Sequence, residues 1–469
     1  MSPLLKRLYD ASPVPVQNAL LSAFSARLGR QRYGGRFSEF VALLEESQWW
    51  APERMRQWQI EQLRRVLVHA GEHVPYYQEL FRHRGFDPAR FEALEQLHLL
   101  PVLSRDVVKH RISDLTSRAS GGLRLTEGHT SGTTGSPITL FYDDDMIAMN
   151  YAVMDRQYRW ADCRLERNGD RVAVVRGNVI VPLTQKQPPF WRFNRDLNQM
   201  LLSCFHLAPA NLGAYLMALR KFRPTVVDGY PSSLYVLARL LLNSGEKLPV
   251  KAAITSSETL YDFQREAIEE AFCCRVFDYY AAAERVMFSV ECDHHSGHHL
   301  CEEYGVTEVL DDEDQPVPAG HEGYLVGTTL HNRAMPLIRY RTTDRGALKP
   351  MPCACGRPLQ LTEDITTKAE DLLRLRDGRL IPPSVLTHPF KPLDSIEGSQ
   401  IVQTDLDRLL IRIVPGGAFG PEDREHLMRE LRARLGEDMR IDIECVAELP
   451  RTSRGKFKWV VSAIDSGLT

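Results

Sequence analysis

The stretch TVVDGYPSSLYVLARLLLNSGEKLPVKAAITSSETLYDFQREAIEEAFCCRVFDYY, residues 225–280, decides the fold. Three short runs rich in β-branched or aromatic residues (TVVDGY, KAAITSS and CRVFDYY) are separated by two longer segments of helical character. Strand, helix, strand, helix, strand is the order of βαβ crossover units, which predicts a parallel sheet. Because ligands of such sheets bind beyond the carboxyl ends of the strands, we expect loops 228–232, 256–259 and 280–284 to share one site.

The sequence on either side completes a two-domain α/β protein. RVAVV at 171–175 is a further strand candidate, and apolar residues at three- and four-residue spacing predict a helical cap over about residues 36–110. Towards the end, IEGSQIVQT and RLLIRIV resemble paired strands, followed by a helical segment and the strand RIDIECV. We therefore expect a large domain of parallel-sheet type at 1–366 and a small α+β domain at 367–469.

Length and composition exclude several classes of protein. The chain has 469 residues, of which 43% are apolar and 25% charged, so it is long enough for two domains and is not a disordered or collagen-like chain. A net charge of -3 gives no electrostatic reason to expect nucleic acid as a partner. No run approaches the ~20 consecutive apolar residues of a membrane span, so none is expected.

The first 24 residues, MSPLLKRLYDASPVPVQNALLSAF, are mildly apolar but interrupted by charge and proline. They do not resemble a signal peptide, and the nine scattered cysteines form no small-domain disulfide framework. We therefore expect a cytoplasmic protein with reduced thiols, a monomer or homodimer. The short amphipathic run is expected to pack on the body of the protein, the alternative being that it lies on a membrane.

Residues 128–137, GHTSGTTGSP, combine three glycines with five serines or threonines. Such a segment has no bulky side chain and offers many N–H and O–H donors, so it can wrap phosphate oxygens. It is not a Walker A loop, because no Gly-Lys-Ser/Thr ends it. By itself, a segment of this composition is more often an ordinary surface loop.

Two later segments are ambiguous when each is taken alone. YRTTDRG at 340–346 contains Asp344, which in a rigid turn accepts two ribose hydroxyls or serves only the turn. ELPRTSRGKFKWV at 448–460 contains Lys456 beside a glycine. Either this lysine is catalytic or the segment is an ordinary surface turn.

Together and in this order, S-G-T-T-G, Y-R-T-x-D and P-R-T-x-x-G-K resemble the acyl-adenylate-forming superfamily, most closely its phenylacetate–CoA ligase and CapK-like branch. DGYPSSLYVLA (228–238), SSETL (256–260) and FDYYAAAERV (277–286) are similar to that branch as well. The resemblance covers about residues 36–460. It implies a large domain that binds ATP and a carboxylate, capped by the N-terminal helices, and a small mobile C-terminal domain.

The resemblance implies a set of ATP-binding residues. The residues that would hold the phosphates are Thr130, Ser131, Gly132, Thr133, Thr134 and Gly135. Those that would lie along or flank the nucleotide are Ser257, Glu258, Thr259 and Tyr280. Asp344 would bind the ribose hydroxyls, and Glu284 would hold Mg²⁺ on the phosphates. Where the family's hinge reads G-R-x-D-D, this chain has Thr367-Lys368-Ala369-Glu370-Asp371, so that Lys368 keeps the charge of the nucleotide-binding arginine without its planar fork.

The catalytic pair implied by the resemblance is Lys456 and Glu284. Lys456 would enter the site from the small domain and stabilise charge on the carboxylate and the α-phosphate. The substrate pocket would be formed by Tyr230, Pro231 and Ser232, with His206 as a further candidate. Aromatic residues between 190 and 205 would suit an aryl or arylacetic acid, although core packing explains them nearly as well.

Cysteine and histidine are concentrated in VECDHHSGHHLCEEY (290–304) and MPCACGRP (351–358). Thiolates and imidazoles in tetrahedral number favour Zn²⁺, the alternative being two unrelated loops with reduced thiols. Some members of the resembled branch carry a structural zinc here, which implies Cys292, His299, Cys353 and Cys355 as ligands, with His298 as the alternative histidine.

The function implied is that of an AMP-forming carboxylate ligase. It would activate a small-molecule carboxylic acid with ATP and Mg²⁺ and pass the acyl group to coenzyme A. The alternative acceptor is an amine, a hydroxyl or the thiol of a carrier protein. A third hypothesis, a degenerate nucleotide-binding scaffold, is disfavoured because Glu284, Asp344 and Lys456 are all retained.

Overall fold

The computed structural model of the protein describes residues 3–119, 124–130, 138–166, 168–365, 372–381, 383–390, 392–393, 395–417, 419–449 and 458–464. The helices are α1 Pro3–Ala11, α2 Val14–Arg32, α3 Phe37–Ser47, α4 Pro52–His73, α5 Pro75–Arg84, α6 Arg105–His110, α7 Ile112–Leu115, α8 Asp144–Trp160, α9 Leu212–Phe222, α10 Pro231–Asn243, α11 Asp262–Phe272, α12 Pro383–Leu386 and α13 Pro421–Leu435. Short 3-10 helices lie at Pro88–Arg90, Leu94–Leu99, Cys204–His206 and Pro209–Asn211.

The strands of the large domain are β1 Thr126–His129, β2 Thr139–Tyr142, β3 Val172–Arg176, β4 Trp191–Asn194, β5 Gln199–Ser203, β6 Val226–Gly229, β7 Ala252–Ser256, β8 Arg275–Ala281, β9 Phe288–Glu291, β10 His298–Leu300, β11 Gly305–Leu310, β12 Gly323–Thr329, β13 Tyr340–Gly346 and β14 Leu361–Thr362. Beyond them lie β15 Leu373–Arg374, β16 Leu380–Ile381, β17 Ile396–Asp405, β18 Arg408–Pro415, β19 Arg440–Cys445 and β20 Val460–Ser462.

A central sheet organises the large domain. Its order within the described residues is β14-β10-β9-β8-β7-β6-β3-β5-β4. The middle of the sheet, β5-β3-β6-β7-β8, is parallel, and the strands on both sides of it are antiparallel. β6 and β7 are buried along their whole length, as their unbroken runs of β-branched and small residues require in a sheet covered on both faces. The βαβ pattern predicted from residues 225–280 is confirmed.

The N-terminal part is helical, as predicted. α4 begins with Pro52 at its first turn, where the missing N–H costs no hydrogen bond, and buries Leu63 and Leu67. The structure adds two helices, α1 and α2, before the predicted start of the cap at about residue 36. In the described part of the chain, no helix is both long and apolar enough to cross a membrane.

Smaller sheets complete the fold. The hairpin of β1 and β2 brackets residues 131–137, and β11, β12 and β13 form an antiparallel sheet. Asp344, expected in a turn, lies instead within β13, because the YRTTDRG segment pairs with β12 up to Gly346. A strand holds the backbone more firmly than the expected turn, so the direction of this side chain is set by the sheet.

The C-terminal part has the predicted strand, strand, helix, strand order. β17 and β18 form a hairpin, α13 follows, and β19 pairs in parallel with β18. β20 adds a parallel strand on the other edge, beside β17. α13 buries Leu427 and Leu431, which pack in the core with the apolar side chains of β18.

Candidate functional site

A cavity of about 1160 Å³ lies beyond the carboxyl ends of the parallel strands. The ends of β6, β7 and β8 and the segments that follow them, which the sequence placed in one site, line it with Tyr230, Ser257 and Tyr280. The C-terminal part of the chain lines it with His388 and Trp459, among others. The cavity is therefore lined by residues from both parts of the chain.

Thr130 stands at the start of the predicted phosphate loop and lines this cavity. Its N–H donates to the carbonyl of Ile138 (3.1 Å), and its Oγ1 accepts from the Ile138 N–H (3.0 Å). These two bonds fix both ends of the loop; Ser131, Gly132, Thr133, Thr134 and Gly135 lie outside the described residues.

Arg105 is a cavity residue that the sequence did not single out. It is the first residue of α6, and its Nη2 donates to Thr130 Oγ1 at 3.3 Å. A lone arginine at the start of a short helix carries no signal in the sequence, because only the fold brings α6 beside the β1–β2 hairpin. Its charge beside the predicted phosphate loop suits an anionic ligand.

Tyr280 and Asp344, which both line the cavity, contact each other. The Tyr280 hydroxyl donates to Asp344 Oδ2 at 2.8 Å. Burial raises the pKa of Tyr280 well above its usual value, and the negative charge of Asp344 adds to this rise. The phenol therefore stays protonated, and the bond orients the carboxylate that we expected at the ribose.

Glu284 also faces the cavity, from the loop after β8. The Tyr340 hydroxyl donates to Glu284 Oε1 at 2.7 Å, and Arg105 Nη1 lies 3.9 Å from the same oxygen. Burial raises the pKa of Tyr340, and the Glu284 carboxylate raises it further, so this donor is retained. Tyr340 was missed in the sequence, because nothing in the motif order reveals which side chain orients Glu284.

The segment 257–259 follows β7 and lines the cavity. Ser257 has a φ of 73°, in the left-handed region that a residue with a β-carbon rarely adopts. Glu258 turns towards α10, where its Oε2 accepts from the Ser232 N–H at 3.1 Å and from the Ser232 hydroxyl. This carboxylate thus caps the helix and fixes the loop, while Thr259 stays at the cavity wall.

The expected substrate residues divide into two groups. Tyr230 and Ser232 line the cavity, and Pro231 between them is the buried first residue of α10. His206 does not belong with them: it is 8% exposed, stacks on Phe190 and bonds through Nδ1 to Ser203. Burial lowers the pKa of His206 to about 4, so it is a neutral core histidine.

The aromatic residues between 190 and 205 are also mainly core. Phe190 and Phe205 are 1% and 2% exposed, and Phe190 stacks on Tyr215 as well as on His206. Of the two explanations that the sequence left open, packing accounts for these two side chains.

A buried charge pair lies at the carboxyl ends of β3 and β6. Arg176 Nε donates to Asp228 Oδ1 at 2.7 Å, and the Tyr158 hydroxyl donates to Asp228 Oδ2. The Arg176 guanidinium also lies over the Tyr230 ring, 5.6 Å from its centre. The pair sets the position of Tyr230 at the cavity wall; its only signal in the sequence was a charged residue ending each of two buried strands.

Four side chains form a compact cluster beyond the edge of the sheet. The ligand atoms of Cys292, His299, Cys353 and Cys355 all lie within 4.8 Å of one another. Cys292 Sγ is 3.6 Å from Cys353 Sγ, and Cys355 Sγ is 3.5 Å from His299 Nε2. Ligands ~2.3 Å from a tetrahedral ion stand ~3.8 Å apart, so this donor set fits Zn²⁺.

The strand geometry distinguishes the two candidate histidines. His298 and His299 are neighbours in β10 and therefore point to opposite faces of the sheet. His299 joins the cysteines, whereas His298 lines the cavity, with its Nε2 3.7 Å from Asp278 Oδ2. Gly297, just before them, has a φ of 121°, and a Cβ there would lie 2.3 Å from the Thr362 carbonyl, so only glycine fits.

Two expected residues, Lys368 and Lys456, lie outside the described residues. Close to Lys456 in the sequence, Trp459 and Ser462 line the cavity. Arg379 links the two parts of the chain, because its Nη1 donates to the carbonyl of Phe205 (3.0 Å) and its Nη2 to that of Leu435 (2.9 Å).

Comparison with known proteins supports the class defined by this fold and site. The CapK C-terminal domain family matches residues 373–463. Protein CapK of Staphylococcus aureus is 26% identical over 98% of this chain and 100% of its own length. Phenylacetate-coenzyme A ligase of Thermus thermophilus is 24% identical over 87% of this chain and 96% of its own.

Among solved structures, 2-hydroxyisobutyryl-CoA ligase in complex with 2-HIB-AMP and CoA, in the thioesterification state, superimposes with a TM-score of 0.56. That comparison covers 88% of this chain and 91% of the ligase at 21% identity, and it establishes the fold. The chain thus has the two-domain architecture of the adenylate-forming CoA ligases. Its resemblance to the acyl-adenylate-forming superfamily, in the branch of CapK and the phenylacetate–CoA ligases, is confirmed.

Proposed function

We propose that this protein is an AMP-forming carboxylate ligase that makes an acyl-CoA. A carboxylate oxygen of the acid forms a bond to the α-phosphorus of ATP, and the bond from that phosphorus to pyrophosphate breaks. The thiol sulfur of coenzyme A then bonds to the acyl carbon of the adenylate, its proton is released, and AMP leaves. The established similarity to phenylacetate–CoA ligases along most of the chain supports this assignment.

The observation that carries the proposal is the convergence of Thr130, Glu284 and the Tyr280–Asp344 pair on one cavity. They come from three separate segments of the chain, so their meeting is a property of the fold. A loop rich in N–H and O–H donors, a fixed carboxylate and a cavity at strand ends together suit a nucleoside triphosphate. In this proposal Asp344 accepts the ribose hydroxyls, because Tyr280 holds its carboxylate in place.

Glu284 is proposed as the residue that holds Mg²⁺ on the phosphates. In the described part of the chain its two polar contacts, from Tyr340 and Arg105, both reach Oε1. Carboxylate oxygens are the ligands that Mg²⁺ prefers, and the ion supplies neutralising charge on the phosphates when bound. Arg105 would add a second, permanent positive charge on the same side.

Lys456 is proposed to stabilise the charge that develops between carboxylate and α-phosphate. We further propose that 367–469 is a lid that turns on the segment 367–371 relative to 1–366, with Lys368 near the nucleotide. Lys456 is three residues before Trp459 in the cavity wall, a span of at most ~11 Å, so Lys456 lies within reach of the cavity along the chain.

We propose a structural Zn²⁺ at Cys292, His299, Cys353 and Cys355. Four protein ligands leave no open position, so this ion would stabilise the fold and take no part in the chemistry. Burial lowers the pKa of His299 to about 4, so its imidazole is neutral and able to coordinate at pH 7.

The acid is proposed to lie against Tyr230 and Ser232, with its carboxylate towards the phosphate loop. Tyr279 also lines the cavity, so the wall contains aromatic rings that suit an aryl or arylacetic acid. This wall comes from the ends of β6 and β8 rather than from the residues between 190 and 205.

The test is carboxylate-dependent exchange of pyrophosphate into ATP, run over a panel of aryl, arylacetic and short aliphatic acids. Exchange that requires one class of acid supports adenylation, and its absence with every acid would favour a nucleotide-binding scaffold. Adding coenzyme A should then release AMP and form a thioester. Adenylation without thioester formation would indicate that the acyl acceptor is not coenzyme A but one of the alternatives, an amine, a hydroxyl or a carrier-protein thiol.

A further inference from the structure

Helix α2 packs on the protein with its polar side. It lies beside β4, the edge strand of the central sheet. Asn18 Oδ1 accepts from the Phe193 N–H (2.9 Å), and Ser22 Oγ accepts from the Arg195 N–H (3.0 Å). Ser25 donates to Asp196 Oδ2 at 3.0 Å. The polar side chains of the helix thus satisfy backbone groups of a strand edge that would otherwise be open.

The outward face of the same helix is apolar. The exposed residues of α2 up to Phe24 are Pro15, Val16, Ala19, Leu20, Ala23 and Phe24. The three large side chains Val16, Leu20 and Phe24 are 44%, 48% and 60% exposed. Their four-residue spacing places them on one side of the helix, in a stripe ~12 Å long. A surface helix usually turns its apolar side to the core and its polar side to water. The exposed apolar stripe therefore indicates a binding partner with an apolar surface.

Helix α1 carries a further large exposed apolar side chain. Leu8 in α1 is 59% exposed, and Gln17 ties the two helices together by donating to the carbonyl of Tyr9 at 2.9 Å. We call the exposed side chains of Leu8, Val16, Leu20 and Phe24 the apolar stripe.

Basic residues precede and follow the apolar stripe in the sequence. Arg7 lies before it and Arg27 and Arg30 lie after it, all three exposed and without an ion pair to any residue that the structure describes. Between residues 3 and 32 the sequence has five basic residues and one acid, Asp10, which pairs with Lys6. An apolar face bordered by cations is complementary to the interface of a bilayer that contains anionic lipid.

A second copy of the chain fits this surface less well. A two-fold axis perpendicular to α2 would bring Arg27 and Arg30 of each copy towards the basic end of the α1–α2 pair of the other, and an axis along the helix would bring them against Arg27 and Arg30 of the other copy. Like charges would then meet at both ends of a short apolar contact.

We propose that α1 and α2 form an interfacial anchor that holds this protein on anionic membranes. Val16, Leu20 and Phe24 enter the boundary between headgroups and acyl chains, while Arg27 and Arg30 contact lipid phosphates. Because the contact combines a short apolar stripe with a few cations, it is reversible and depends on ionic strength. The inference does not depend on the identity of the acid or the acyl acceptor.

The test is flotation of the full-length protein with vesicles of phosphatidylcholine alone or with about one third phosphatidylglycerol. We expect at least ~10-fold tighter binding to the anionic vesicles and release by about 0.5 M salt. Equal or absent binding to both kinds of vesicle would overturn the proposal.

Variants identify the surface. Leu20→Gln with Phe24→Gln should abolish flotation, and Arg27→Gln with Arg30→Gln should weaken it ~10-fold or more. Leu99→Gln is the matched control, because Leu99 is 47% exposed against 48% for Leu20 but lies elsewhere on the surface. All variants should keep the wild-type melting temperature, since these side chains make few contacts. Undiminished flotation of the Leu20/Phe24 variant would contradict the proposal. So would a wild-type protein that binds no vesicles but forms a dimer, if the Leu20/Phe24 variant is a monomer.

Discussion

A single hydroxyl group orients the carboxylate proposed to hold Mg²⁺. Tyr340→Phe keeps the ring in place and removes the hydroxyl that donates to Glu284 Oε1 at 2.7 Å. Groups that orient a metal ligand typically contribute 10–100-fold to metal affinity, so we expect the Mg²⁺ concentration at half-maximal adenylation to rise about 10-fold. The measurement is pyrophosphate exchange at varied Mg²⁺.

Tyr215→Phe is the matched control for this substitution. It also removes a buried hydroxyl, which donates to the Ser203 carbonyl at 2.7 Å, far along the chain from Glu284. Both variants should lose similar thermal stability, whereas only Tyr340→Phe should change the Mg²⁺ dependence. An identical Mg²⁺ dependence in both would mean that Tyr340 has a purely structural role.

Also at the residue scale, Glu302 predicts a dependence of stability on pH. Burial raises the pKa of this carboxyl from its ordinary 4.5 to about 7, and the charge of Glu303 contributes. The folded protein therefore keeps a proton that the unfolded chain has released between those two pH values. The free energy of unfolding consequently falls as pH rises through this window.

Glu302→Gln cannot lose this proton and should remove that fall. Relative to wild type, the variant should gain about 2 kcal/mol between pH 5 and pH 8. Denaturant unfolding at the two pH values measures the difference, with Glu92→Gln as the control at an exposed glutamate. A variant whose stability runs parallel to that of wild type would show that Glu302 ionises normally.

At the scale of elements, the Cys/His cluster joins segments that are too short to be stable alone. β10 has three residues and β14 two, and Cys353 and Cys355 lie in a turn without regular structure. Ligand bonds to one ion would connect the end of β9, β10 and this turn. Metal binding energy would therefore stabilise the edge of the central sheet.

We expect purified protein to contain about one Zn²⁺ per chain and Cys353→Ser to lose it. The melting temperature should fall by about 5 °C or more, because a ligand set with three members binds zinc much more weakly. Elemental analysis and calorimetry check both quantities. Cys273→Ser, at an exposed cysteine outside the cluster, should change neither the zinc content nor the melting temperature. If wild-type protein is stable and contains no metal, the three cysteines of the cluster are ordinary reduced thiols.

At the scale of the whole molecule, catalysis is expected to depend on one lysine brought in by the C-terminal domain. Lys456→Ala should slow adenylation by about 10²–10³, the value of one well-placed donor to a developing charge. ATP binding, measured by the ligand-induced rise in melting temperature, should change little. Acyl transfer from a preformed adenylate should also be less affected, since the proposed lid has turned away by then.

Lys458→Ala separates a specific role from a general loss of positive charge. Lys458 is two residues further along, and its carbonyl accepts from Gln400 Nε2 at 2.8 Å, a bond that alanine retains. We expect near wild-type adenylation in this variant. Similar effects of the two substitutions would contradict a catalytic role for Lys456. An adenylation rate of Lys456→Ala within about threefold of wild type would contradict it as well.

Periodicity and motifs within single segments predicted those parts of the site that each segment determines by itself. The βαβ run at 225–280 fixed the sheet direction, and the sheet direction alone brought Tyr230, Ser257 and Tyr280 to one edge. Asp344 was identified by its motif, but its expected turn was wrong, because pairing with β12 overrides the turn-like composition of YRTTDRG. His206 was wrongly placed in the pocket, since a histidine in the core and one in a cavity have the same local sequence.

The sequence by itself determined the class of fold and the order of the motifs, because these follow from periodicity and residue chemistry. The family resemblance added a candidate metal site of three cysteines and one of two neighbouring histidines. Tertiary structure alone decided which groups meet: Tyr340 with Glu284, Arg105 with Thr130, and His299 rather than His298 with the cysteines. It also decided that α2 turns its polar side inward, because only the packed sheet reveals that β4 is an edge with backbone groups to satisfy. Contacts between distant segments depend on the path of the whole chain, and no local pattern encodes that path.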